Sequence, residues 1–82
     1  MSWPEWWEWE IELTSHLLRR MIDLGFSETD LRTMLTNAYD LNLQPHGTYE
    51  VRTVLEGRQW AVIVAPDRKE QRLLVISAFP DD

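Results

Sequence analysis

The stretch "QWAVIVA", Gln59 to Ala65, constrains the chain more than any other. Trp60 to Ala65 are apolar without interruption, which is the pattern of an interior strand with both faces buried. Such a strand needs a hydrogen-bonding neighbour on each edge, and the flanking segments supply two. "TYEVRTVLE" alternates before an "EG" turn, and "RLLVISAF" follows "PDRKE" and is again apolar. Pro80 stops the last of them. These three strands and their short turns read as an antiparallel meander.

The first half has different periods. In "WEWEIEL" Trp7, Trp9, Ile11 and Leu13 alternate with Glu8, Glu10 and Glu12, so a half-buried strand with one acidic face is expected. Two capped helices follow. Thr14 can cap the first, with Leu13 and Leu18 at the spacing of a hydrophobic staple. Around a helical wheel Leu13, Leu17, Leu18, Met21, Ile22 and Leu24 fill one half, and His16, Arg19, Arg20 and Asp23 the other. Gly25 is placed to end this helix in the left-handed conformation. Ser27 begins the second helix in a box-like S-x-x-D with Asp30. Phe26 and Leu31 form its staple, and Leu31, Met34, Leu35, Ala38 and Tyr39 form its apolar stripe. Glu28 and Arg32 make a favourably oriented surface pair. The expected order is β-α-α-β-β-β, an α+β domain with both helices on one face of an antiparallel sheet. Leu17, Met21, Leu31, Leu35, Trp60, Val62, Ile63 and Val75 are the expected core.

Eighty-two residues make one domain, read as 1–82, with residues 1–6 a candidate Trp-rich extension. The net charge of −6 is concentrated at the ends: Glu5, Glu8, Glu10 and Glu12 precede Leu13, and Asp81 and Asp82 close the chain. The body between is formally neutral, unlike the strongly basic surface of a general nucleic-acid binder. The absence of cysteine excludes disulfides, thiolate metal sites and Cys nucleophiles. No apolar run approaches a membrane span, and "MSWPEWWEWE" lacks the basic start of a signal peptide, so a cytoplasmic protein is expected.

Few residues can carry chemistry. His16 and His46 lie thirty positions apart with no repeated ligand spacing, so no metal and no cofactor is expected. His16, Arg19, Arg20, Arg52, Arg58 and Ser77 remain. Metal-free RNA cleavage needs a group that moves protons and cations that hold phosphate charge, and His and Arg suit those tasks. The first turn of a helix adds unpaired N–H groups and positive dipole. The bland alternatives stand beside this. "HLLRR" can be a solvated helix face, Arg19 can pair with Asp23, Arg52 and Arg58 can be ordinary hairpin residues, Ser77 can bond a neighbour, and His46 reads as a loop residue.

The segments "ELTSHLLRRMIDLGFSETDLRTML", "GRQWAVIVAPD" and "LLVISAFP" together resemble small bacterial domains similar to the RelE/ParE and BrnT toxins. The resemblance runs from Trp7 to Pro80 and implies two helices packed on a curved antiparallel sheet. It further implies the toxin of a toxin–antitoxin system, a metal-independent endoribonuclease that cleaves mRNA and is held by a cognate antitoxin. By motif position the resemblance makes His16 the general base or acid. Arg20 and Arg58 become phosphate ligands, and Ser77 a hydrogen-bond donor to the phosphate. Phe79 and Leu24 depart from the Tyr and Arg common in that pattern. A competing reading keeps the scaffold and replaces the chemistry by protein interaction through Trp3, Trp6 and Trp7, because Trp is enriched at interface hot spots.

Overall fold

The computed structural model describes residues 3–81; residues 1, 2 and 82, which belong to the Trp-rich start and the acidic end, lie outside it. Strand β1 is Glu10–Leu13, helix α1 Ser15–Leu24 and helix α2 Glu28–Thr36. Strands β2 (Asp40–Leu43), β3 (Tyr49–Leu55), β4 (Arg58–Asp67) and β5 (Arg72–Pro80) follow. The domain is α+β: two helices on a five-stranded mixed sheet in the order β1-β5-β4-β3-β2.

The meander β3-β4-β5 forms as the apolar runs require, with β4 interior to the sheet. Its first turn has Glu56 at φ 51° and Gly57 at φ 78°, the two left-handed residues of a hairpin turn whose twist matches its strands. Glu56 is strained there, since a left-handed residue other than Gly, Asn or Asp costs about 1–2 kcal/mol. Glu56→Asn is expected to raise stability by about 0.5–1 kcal/mol in urea unfolding.

Both helix starts are built as their caps foretell. The Thr14 hydroxyl accepts the Leu17 N–H, and Gly25 is left-handed at φ 73° with its N–H on the Met21 carbonyl. Ser27 and Asp30 close a reciprocal capping box, Arg32 pairs with Glu28 at 3.1 Å, and the staple residues Phe26 and Leu31 are buried. Thr53, fully buried on β3, donates its hydroxyl to the Met34 carbonyl near the end of α2. Thr53→Val leaves that carbonyl unpaired and is expected to cost about 1–3 kcal/mol, read as a lower urea midpoint at unchanged slope.

Four expectations are corrected. The sheet gains β2, whose Leu41 pairs with Val51 and packs on the core while Asp40 and Asn42 face outward. His46, left-handed at φ 65°, and Gly47 turn the chain from β2 into β3. β1 runs parallel to β5, which makes the sheet mixed rather than antiparallel. It begins only at Glu10, opposite Arg72, where β5 itself begins; Gln71 before it is left-handed at φ 53° and belongs to the turn from β4. Glu5–Glu8 instead form one 3₁₀ turn, which seats Trp6 in the core at 4% exposure with its ring 4.8 Å from that of Tyr49.

The core is also narrower than the wheel suggests. Leu17, Leu31, Trp60, Val62 and Val75 are buried, but Met21 and Leu35 sit half-buried at its rim. Ile63 lies between the core residues Val62 and Val64 and therefore on the opposite face of the sheet. Leu18 and Ile22 are exposed.

Candidate functional site

Thr14 positions the candidate site. Its hydroxyl accepts the Leu17 N–H at 3.2 Å and donates to the Val75 carbonyl at 2.9 Å, so one side chain caps α1 and ties it to β5. Leu18 N–H bonds the Thr14 carbonyl, which leaves the N–H groups of Ser15 and His16 without intrahelical partners. Thr14→Val should lose both functions and cost about 1–3 kcal/mol in thermal or urea unfolding, whereas Thr14→Ser should retain most of the stability.

Along α1, His16 and Arg20 are four residues apart on one flank, and both are exposed. The expected Arg19–Asp23 bridge is not made. Among the described residues His16, Arg19, Arg20 and Asp23 take part in no ion pair, in contrast to Glu28–Arg32 on α2. Acid preceding base is the better orientation along a helix, and the α1 pair has it reversed. The first turn of α1 thus presents two free N–H groups and an imidazole to solvent, with the unpaired guanidinium of Arg20 one turn on. That set suits an anion held on the helix dipole.

The other two candidate residues do not meet there. Phe26, just past α1, packs its ring edge-on to Trp60 at 5.3 Å, so α1 runs from the level of Val75 towards that of Trp60 and Pro80. Arg58 lies beyond that far end, in a recess shared with Leu24, Phe26, Asp30, Leu55 and Trp60. Val64, opposite Val75, is six residues along β4 from Arg58, about 20 Å at 3.3 Å per residue. His16 and Arg58 therefore sit at opposite ends of α1, with Arg20 about 6 Å nearer to Arg58 than His16 is.

Ser77 sits on the other side of the sheet. β5 carries one extra residue, Ile76, where pairing jumps from Val64–Val75 to Ile63–Ser77. This bulge keeps Val75 and Ala78 in the core and leaves Ser77 beside Ile63 on the face away from the helices, 8% exposed. Phe79 shares that face, opposite Ala61. Arg52, on the same face, bridges Glu50 at 3.3 Å and Asp81 at 2.7 Å. Its pKa is raised, first by a side-chain hydrogen bond with Tyr39 and then by the charge of Asp81, so Arg52 is an anchored structural cation.

The tryptophans are not free anchors. Trp6 is core, Trp7 and Trp9 pack against the core, and Trp3 stacks on Trp7 at 4.7 Å. Trp7 and Trp9 line a shallow cleft of about 330 Å³ with Ile11, Arg32, Leu35 and Leu73. Among the described residues no three His, Asp or Glu side chains are grouped to hold a metal ion, and no helix is long and apolar enough to cross a membrane. No family model matches the sequence, and neither a curated protein nor a solved structure matches it.

Proposed function

We propose that the chain is a RelE/ParE-like toxin-type domain that cleaves mRNA without a metal, with the His16–Arg20 flank of α1 as its working surface. One observation carries the reading: a histidine and an unpaired arginine flank the free N–H groups of a first helical turn tethered to the sheet by Thr14. In this reading Arg20 and the Ser15 and His16 N–H groups hold the scissile phosphate. His16 takes the proton of the 2′-hydroxyl, the 2′-oxygen attacks phosphorus, and the bond to the 5′-oxygen breaks. The proton passes from His16 to that oxygen, leaving a 2′,3′-cyclic phosphate and a 5′-hydroxyl. Arg58, at the other end of the helix, meets a neighbouring phosphate rather than the scissile one, and Ser77 serves the packing of the far face. An antitoxin protein that covers α1 would hold the activity in check.

The test is direct. Purified protein incubated with messenger RNA in excess chelator should release fragments with 5′-hydroxyl ends, and its induction in cells should arrest growth unless the antitoxin is supplied. Intact RNA and unimpeded growth would overturn the reading.

A second reading, a non-catalytic interaction module, is favoured by the half-buried apolar side chains of Val54, Ile63, Leu74 and Phe79 on the sheet face away from the helices. The resemblance carries it as well, because Phe79 stands without the hydroxyl common in the related pattern. Under this reading the protein binds a partner with unchanged affinity when His16 and Arg20 are both replaced.

A further inference from the structure

The wheel of α1 is amphipathic over half its circumference, yet the fold buries only part of that half. Leu17 faces the sheet, while Leu18 is 46% and Ile22 82% exposed. Leu18 and Ile22 are four residues apart and form one apolar ridge along the helix. Beside it lie Arg19 and Asp23, a second pair four residues apart, of opposite charge and unpaired within the chain. A ridge of two apolar residues flanked by an unsatisfied cation and anion at the same spacing is complementary to itself when reversed. About a two-fold axis perpendicular to the helices, like flanks meet in opposite directions. Leu18 then meets Ile22 of the other copy, and Arg19 meets its Asp23, twice over.

We propose that two copies of this chain associate by antiparallel packing of α1 on α1, with Leu18 and Ile22 in the seam and Arg19 of each copy paired with Asp23 of the other. The charges choose the orientation, since a parallel arrangement sets the apolar ridge against the charged flank. Arg20 is about 160° around the helix from Leu18 and stays open, whereas His16 is one turn before Arg19 and about 60° around from it, so the pairing borders His16. The proposal rests on the ridge and its charged flank, not on any activity on RNA. A ten-residue helix buries less than the ~1,200 Å² of a standard interface, which places the pairing among weak, transient associations.

Sedimentation equilibrium between about 10 µM and 1 mM at low salt tests it, since surface charge pairs weaken on screening. The wild type should approach a dimer at the upper end. Ile22→Lys, at an exposed position and checked for an unchanged circular dichroism spectrum, should weaken association at least tenfold. Arg19→Asp should weaken it severalfold, and the exchange Arg19→Asp with Asp23→Arg should restore it. A wild type that stays monomeric at 1 mM overturns the proposal, as when the ridge serves a different partner. So does a dimer indifferent to Ile22→Lys, or a charge exchange that rescues nothing.

Discussion

His16→Ala is expected to lower RNA cleavage in chelator by about 10²–10⁴, the usual worth of one positioned proton-transfer group, with folding unchanged. The separation of the two effects follows from where His16 stands. Its side chain is exposed and makes no hydrogen bond or ion pair with any described residue, and alanine is the better helix former, so α1 loses nothing by the change. Arg20→Ala should cost at least tenfold, since a charge-assisted phosphate contact contributes about 1.5–3 kcal/mol. Arg20→Lys should recover part of that loss, because an ammonium keeps the charge and loses the bidentate fork. Single-turnover rates on a defined RNA, with circular dichroism as the folding control, check all three. Equal cleavage by wild type and His16→Ala would remove His16 from the chemistry.

Leu31→Ala is expected to harm the fold severely. Leu31 is fully buried, occupies the staple position above Phe26, and belongs to the core cluster with Met34 and Trp60. Truncating a buried leucine costs about 2–5 kcal/mol, against the roughly 5–10 kcal/mol that holds a domain of this size. The variant should melt far below the wild type. Leu35→Ala, four residues on and only half-buried, should cost clearly less, because its surroundings can relax or hydrate. Equal midpoints for the two variants in urea unfolding would show that the boundary between core and rim is misplaced.

The contrast between Leu31 and Leu35 shows what a sequence of this kind discloses. Caps are local. Thr14, Gly25, Ser27 and Asp30 announce helix ends through bonds to residues three or four positions away, and those bonds form where the pattern puts them. The apolar run of β4 announces an interior strand for the same reason. What depends on distant partners is hidden. Whether Leu18 and Ile22 are covered depends on how far the sheet extends beneath α1, and nothing in α1 records that. β2 was obscured because only Leu41 and Leu43 carry its pattern, and its partner begins six residues after Leu43.

The candidate site divides along the same line. That His16 and Arg20 share a flank follows from helical spacing alone. The position of Ser77 turns on the single extra residue at Ile76, which moves every later side chain of β5 to the other face. Strict alternation from Leu73 and Val75 would have put Ser77 among the core residues, and Ala78 takes that place instead. The separation of Arg58 from His16 follows from the direction in which α1 crosses β5, a property of the packed domain.

The measurement that bears most directly on the account is a titration of the labelled protein with a short, non-cleavable 2′-deoxy oligonucleotide, followed by its backbone amide resonances. If the first turn of α1 is the phosphate site, the largest shifts fall on Ser15, His16 and Arg20, whose amides start the helix or line its open flank. Those shifts should disappear in Arg20→Ala and weaken as salt is raised. Shifts confined to the sheet face away from the helices, around Ile63 and Phe79, or no saturable shift at α1 while the protein still cleaves RNA, would contradict it.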